Sequence, residues 1–342
     1  MIDFKSTLNH LTKVFCNDTP TPTGKLKDKV ILITGGGGSI GSQLVVQSIA
    51  EGAKRVIALD NTEYNLFKLH QRVKSDVLVS YLGDYGDKDI LDDIFDCHNV
   101  NLVIHAGAYK HVTLMEENPK SAVKNNILKA IRLFTELKYH EVPCIVVSTD
   151  KACNPRNTMG LSKYIVETCA FRILGDFCKV VRFGNVLGSS GSVVPIFYYQ
   201  ALAGEDITIT DFRMERYFMS IEQACYLIIS CNQLQSGVYL LEMGEQIPIY
   251  NLAQEIVSFL DSPSKFVEVG ACKGEKLREE LYAETEEMVK ISDDIIKVSP
   301  KYELDKRLDS GINLIINRPY LVSRETLWQF AKLITFKEAV YP

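Results

Sequence analysis

Val30-Ile31-Leu32-Ile33-Thr34 runs directly into Gly35-Gly36-Gly37-Gly38-Ser39-Ile40-Gly41. The first four residues are apolar on both faces of an extended chain, as a strand covered by helices on each side requires. Gly35, Gly38 and Gly41 then recur at a spacing of three. Glycine lets the turn be tight and lets the backbone approach a pyrophosphate, and a helix starting near Ser39 aims its free N–H groups and positive end at that charge. The next apolar run, 55–60, closes on Asp60, nineteen residues beyond Gly41. A carboxylate there accepts from the adenosine ribose hydroxyls and repels a 2′-phosphate, which favours NAD over NADP. Gly35, Gly38, Ser39, Ile40, Gly41 and Asp60 are therefore the candidate dinucleotide residues. Asp84, in Gly83-Asp84-Tyr85-Gly86, either takes the adenine amino group or is an ordinary turn aspartate.

Outward from this unit the same alternation continues. Strands are expected at 30–34, 55–60, 77–82, 102–105, 144–148, 180–182 and 238–242, with helices at 40–51, 63–74, 120–139 and 157–175. Strand–helix alternation implies an α/β doubly wound parallel sheet, a Rossmann fold, with a smaller mixed α/β substrate lobe. Residues 1–24 read as an amphipathic helical arm and linker, 25–187 and 217–247 as the dinucleotide-binding domain, and 188–216 and 248–342 as the substrate lobe. The acidic stretch 279–287 reads as a solvated helix face. The 342 residues carry 38 Lys+Arg against 43 Asp+Glu, a net charge of −5, which leaves no electrostatic footprint for nucleic acid. No apolar run reaches the length of a membrane span. Nine cysteines without a CxxC pair point to reduced thiols in a cytoplasmic protein and to no metal site.

The fifth expected strand ends in Ser148-Thr149-Asp150-Lys151. Ligands of open α/β sheets sit outside the carboxyl ends of the strands, so a hydroxyl, a carboxylate and an amine emerge there together. They are suited to positioning, protonating and deprotonating one sugar ring; the competing reading is a helix cap. Met159-Gly160-Leu161-Ser162-Lys163 follows, with Met159 and Lys163 one helical turn apart on one face. Short-chain dehydrogenases carry Tyr-x-x-x-Lys in that arrangement, whereas a methionine thioether relays no proton.

The sequence resembles the extended short-chain dehydrogenase/reductase family, and within it the NDP-N-acetylglucosamine 4,6-dehydratases of bacterial surface-polysaccharide and protein-glycosylation pathways. The motifs are Thr34 to Gly41, His105-Ala106-Gly107-Ala108-Tyr109-Lys110-His111-Val112, Met115-Glu116-Glu117-Asn118-Pro119, Ser148-Thr149-Asp150-Lys151-Ala152, Asn154-Pro155 and Met159-Gly160. Beyond these come Arg182-Phe183-Gly184-Asn185-Val186-Leu187-Gly188-Ser189, Gly191-Ser192-Val193, Arg216-Tyr217-Phe218-Met219 and Gly274-Glu275-Lys276-Leu277. The resemblance covers about residues 24–290. Methionine in the tyrosine slot marks the branch that retains the C5 configuration. Many members of that branch carry an N-terminal membrane segment, and this chain resembles a short form without one.

The resemblance implies NAD as cofactor, a nucleotide sugar as substrate and a homo-oligomer, with the helix from Phe4 to Phe15 as a candidate contact. It implies Asp150 as the acid for the C6 hydroxyl, Lys151 as the base at C5, Thr149 on the C4 hydroxyl and Lys163 on the nicotinamide ribose. Lys151 must be neutral for its task, and burial, Lys163 and the nicotinamide charge are expected to lower its pKa. Ala106, Gly107 and Ala108 are small where the dinucleotide passes. Lys110, His111, Asn185, Ser192, Arg216, Lys273 and Glu275 are the candidate substrate residues. For His111 the competing reading is a structural histidine, and for Arg216 a surface ion pair. Relatives have Arg-Pro before Gly-Glu-Lys. Here the pair is Cys272-Lys273, which leaves UDP and GDP open as the nucleotide. A 4-epimerase or ketoreductase, or a non-catalytic dinucleotide sensor, are the rival readings.

Overall fold

The computed structural model describes residues 2–271, 274–284, 286–299 and 324–334. The chain opens with α1 (Phe4–Phe15), then β1 (Val30–Thr34), α2 (Ser39–Ala50), β2 (Arg55–Asp60), α3 (Glu63–Arg72), β3 (Leu78–Leu82), α4 (Lys88–Cys97) and β4 (Leu102–His105). Next come α5 (Val112–Glu117), α6 (Pro119–Ala122), α7 (Lys129–Tyr139), β5 (Cys144–Val147), α8 (Thr158–Leu174) and β6 (Cys178–Arg182). The second half holds β7 (Asn185–Val186), α9 (Val193–Ala203), β8 (Ile207–Ile209), β9 (Glu215–Arg216), β10 (Phe218–Met219) and α10 (Ile221–Ser230). It continues with β11 (Gly237–Leu241), β12 (Ile247–Pro248), α11 (Ile249–Phe259), β13 (Phe266–Glu268), β14 (Glu287–Lys290) and β15 (Ile295–Ser299).

Among the described residues the main sheet has nine strands in the order β14-β15-β11-β6-β5-β4-β1-β2-β3. β1 pairs parallel with β2 and with β4, Thr34 standing opposite Leu59 on one side and His105 on the other. This is the doubly wound arrangement, with its switch point between β1 and β4. Side chains of β1 alternate between two cores. Leu32 joins Leu91, Ile94, Phe134, Leu161 and Ile165 on one face, and Ile31 and Ile33 join Leu44, Val45, Leu66 and Ile228 on the other. A third core, with Leu187, Phe197, Ile207 and Leu252, organises the smaller lobe.

Three expectations need correction. First, the helix at 120–139 is interrupted by a π-helical turn, Val123–Leu128. There the Asn125 carbonyl accepts from the Tyr85 hydroxyl at 2.6 Å, and the Asn126 amide holds both the N–H and the carbonyl of Tyr109, at 2.8 and 3.0 Å. Second, 248–342 is not lobe throughout. β15 pairs antiparallel with β11 and β14 with β15, so a hairpin covers the open edge that β11 otherwise presents. Third, α1 is no free arm. Leu11 is fully buried in the lobe core, and His10 stacks on Phe259 with ring centroids 4.2 Å apart. Its apolar face packs within the chain, against the lobe core.

Candidate active site

A cleft of about 1230 Å³ runs along the carboxyl ends of the parallel strands, from the glycine turn through β4, β5 and β6 to the lobe. At one end the glycines pack too closely for any other residue. A Cβ on Gly41 would lie 1.9 Å from the Gly35 carbonyl oxygen, and one on Gly35, whose φ is +66°, 2.8 Å from the Gly107 Cα. Gly35, Gly38, Ser39, Ile40 and Gly41 all line the cleft, and α2 starts at Ser39 without a side-chain cap. A backbone-lined turn at an uncapped helix start fits a dinucleotide pyrophosphate. Gly107 is small for a different reason than expected. It does not border the cleft, and a Cβ there would meet Tyr85 at 2.8 Å. Ala106 and Ala108 do line it.

The two acids expected at the adenosine end are differently placed. Asp60 accepts from the N–H groups of Gly37 (3.0 Å) and Thr62 (2.9 Å), so its carboxylate braces the glycine turn from below. Asp84 accepts from the N–H of Gly86 at 2.9 Å and is ion-paired to Lys129, away from the cleft. The turn-aspartate reading is therefore the one its surroundings support.

Thr149, Lys151, Met159 and Lys163 also line the cleft. Met159 is 4% exposed and packs on Met115 and Ala122. The Lys163 ammonium donates to the Val147 carbonyl at 2.6 Å; burial pushes its pKa down to about 8, with Glu167 opposing. Thr149 caps the short 3₁₀ turn Asp150–Ala152 and at the same time borders the cleft, so a capping role is compatible with a place in the site. Asp150 departs from expectation. It is 0% exposed and does not border the cleft. Its Oδ1 accepts from the Thr149 hydroxyl at 2.8 Å and from Lys151 Nζ at 3.0 Å, while Oδ2 is buried without a hydrogen bond. Lys151 also donates to Asn185 at 3.2 Å. The chain's own charges work against the expected lowering of its pKa. Burial, the largest single influence, pulls it down, but the charges of Asp150 and Glu279 and the Asp150 hydrogen bond together hold it above the ordinary lysine value.

The lobe side supplies Arg216, whose guanidinium donates to the carbonyls of Glu215 (2.8 Å) and Leu277 (3.1 Å). Asn185, Ser192 and Glu275 border the cleft, and the Ser192 hydroxyl is buried without a hydrogen bond. Lys110 reaches Ser189 at 3.4 Å, and burial holds its pKa below the ordinary value. Burial, and then Lys110, do the same to His111. Lys273 lies outside the described residues.

Residues 31–300 match the polysaccharide biosynthesis protein family. The chain belongs to that family. The probable polysaccharide biosynthesis protein EpsC of Bacillus subtilis is 35% identical over 308 residues, 85% of this chain and 50% of EpsC; the chain thus spans about half the length of that relative. A UDP-glucose 4-epimerase of Rickettsia bellii is 33% identical over 283 residues, 78% of this chain and 81% of that enzyme. Among solved structures, Pen from Bacillus thuringiensis superposes with a TM-score of 0.74 at 31% identity, over 80% of this chain and 90% of Pen.

Two features of the cleft escape sequence reasoning. Glu279, expected on a solvated face, is 6% exposed and borders the cleft. The stretch around it is not a helix, and Leu281 turns into the core; the adjoining Gly274-Glu275-Lys276-Leu277 motif was the available signal. The second feature is a contact across the cleft. Ser39, at the start of α2, donates to the Ser190 hydroxyl at 3.1 Å and accepts from its N–H at 3.0 Å. No helix among the described residues is long and apolar enough to cross a membrane.

Proposed function

We propose that this protein is an NAD-dependent 4,6-dehydratase of NDP-N-acetylglucosamine, UDP-linked in the first instance and GDP-linked in the second, that forms the 4-keto-6-deoxy sugar nucleotide. The observation that carries the reading is a thioether where a reductase needs a phenol: Met159 borders the cleft one helical turn before Lys163, in the same lining as Thr149 and Lys151. Lys163 would hold the nicotinamide ribose, and the glycine turn with the start of α2 the pyrophosphate. Bound NAD supplies the hydride acceptor at C4 and the donor at C6, so there is no net redox.

The chain's own groups handle the protons. Oxidation at C4 makes the C5 proton acidic, α to a carbonyl. The C4 hydroxyl proton passes through Thr149, 2.8 Å from Asp150, to the Asp150 carboxylate. Asp150 then returns it through the same hydroxyl to the C6 oxygen as that leaves as water. Lys151, as the neutral amine, takes the C5 proton and gives it back to C5 once the hydride stands on C6. Each proton removed is thereby returned or leaves in the water, and Asp150 works without touching the sugar. Arg216 would face the diphosphate, since a guanidinium matches phosphate geometry.

The Rickettsia relative favours one alternative, 4-epimerisation, which shares the hydride step at C4. It needs a proton relay at position 159, which methionine does not provide. Incubation with NAD and either UDP- or GDP-N-acetylglucosamine separates the readings by mass. Loss of one water supports dehydration, an isomer of equal mass supports epimerisation, and unchanged substrate under both conditions overturns the enzymatic reading.

A further inference from the structure

We propose that Glu279 is a positioning residue of this reaction, holding the Lys151 amine at the end of β5 and tying it to the Arg216 guanidinium on β9. The proposal rests on the dehydratase reading and adds to it a side chain from a different part of the chain.

The geometry is specific. Glu279 Oε1 lies 3.6 Å from Lys151 Nζ and 3.8 Å from Arg216 Nε. These distances suit charge attraction more than a hydrogen bond. All three side chains are largely withdrawn from water, at 5%, 16% and 7% exposure. The carboxylate is not there by accident of a loose loop. The Gln246 side chain grips the backbone of Glu279 from both sides, accepting from its N–H at 3.3 Å and donating to its carbonyl at 3.1 Å. Two residues earlier, the Leu277 carbonyl accepts from the Glu215 N–H at 2.9 Å and from the Arg216 guanidinium. Seven residues later, Glu286 pairs with the buried Arg182 at 2.8 Å. The segment is thus fixed on both sides of Glu279.

The charged groups around Lys151 come from separate elements. Asp150 stands on its own turn, Glu279 on the strap after β13, and Arg216 on β9, while β7 contributes the uncharged Asn185. Two carboxylates therefore face two cations. Without Glu279 the amine keeps Asp150 and Asn185 but loses its link to Arg216 and hence to the lobe. A base displaced by about 1 Å costs on the order of a hundredfold in rate. Loss of a nearby negative charge also makes Lys151 easier to deprotonate.

The test uses the full chain and two readouts. In the substrate-free protein, acylation of Lys151 by acetic anhydride is followed against pH by peptide mass spectrometry. In turnover, kcat and KM for UDP-N-acetylglucosamine are followed against pH. Glu279→Gln is expected to move the midpoint of Lys151 acylation down by about one pH unit. It is expected to move the acid limb of kcat the same way, and to lower the plateau kcat by roughly ten- to a hundredfold. Glu279→Asp keeps the charge and the wild-type midpoint. Glu280→Gln, which loosens the same strap at its exposed contacts with Asn154 and Lys276, leaves both readouts in place. An unmoved midpoint and limb in Glu279→Gln, or an equal shift in Glu280→Gln, overturns the role of Glu279. A moved midpoint in a protein that never releases water overturns the dehydratase reading instead.

Discussion

Lys151 is asked to be a base, yet its surroundings keep it charged: the amine lies 3.0 Å from Asp150 and 3.6 Å from Glu279. Its folded-state pKa stands above the ordinary lysine value. The neutral form is therefore scarce at neutral pH, and kcat/KM, which reports the free enzyme, should climb with pH across the neutral range. A profile falling from pH 7 upward would contradict Lys151 as base. The same arrangement separates the roles of its neighbours by substitution. Lys151→Met and Asp150→Asn should each abolish release of water, by roughly a thousandfold or more as for loss of an acid–base group. Both should leave NAD affinity unchanged, because neither residue borders the glycine turn; titration of nicotinamide binding beside a mass assay checks the two halves. Normal turnover in either variant removes that residue from the chemistry.

At the scale of elements, the turn between β1 and α2 is decided by packing rather than by hydrogen bonds. Gly41→Ala places a methyl 1.9 Å from the Gly35 carbonyl oxygen, so the helix must back away from the strand. The expected cost is about 1–3 kcal/mol of stability, typical of overpacking, with NAD affinity down by roughly tenfold or more. Urea unfolding and a binding titration measure the two. That turn was legible in the sequence because strand, glycine spacing and following acid are local and agree. So were β2, β4, β5 and β6, whose apolar runs suit burial on both faces. Less legible were features set by contacts distant in sequence. The π-helical turn depends on Tyr85 and Tyr109 meeting Asn125 and Asn126, which no local pattern encodes. The acidic stretch at 279 reads as surface by composition, because its cationic partners lie on the turn after β5 and on β6 and β9. Asp150 does stand in one cluster with Thr149 and Lys151, while its complete burial beside Gly184 and Phe183 follows from contacts distant in sequence.

Across the whole molecule, buried charge links the sheet to the segment that follows the lobe. Arg182, 1% exposed, holds Glu167 at 2.7 Å and Glu286 at 2.8 Å, and the Ser148 hydroxyl donates to Glu167. Removing one partner of such a cluster leaves an uncompensated buried charge, so Arg182→Met should cost about 3–5 kcal/mol in urea unfolding. The pH dependence of stability has a source in β4. His105 is 1% exposed, its Nδ1 lies 2.8 Å from the Thr34 hydroxyl, and the ring packs edge-on against Tyr85 and Phe134. Burial, and secondarily Lys163, press its pKa down to about 3 from 6.5. The folded state therefore binds no proton there between those values, while the unfolded state does. The stability tied to the neutral ring is complete above the unfolded pKa and is lost as pH falls toward the folded one, by up to about 1.4 kcal/mol per unit. Between about pH 8 and pH 5 this amounts to roughly 2 kcal/mol. His105→Asn keeps a polar partner for Thr34 and has no proton to gain, so its unfolding free energy should fall by that much less over the same interval. Equal losses in the two proteins would mean that His105 is already accessible to protons in the folded sheet.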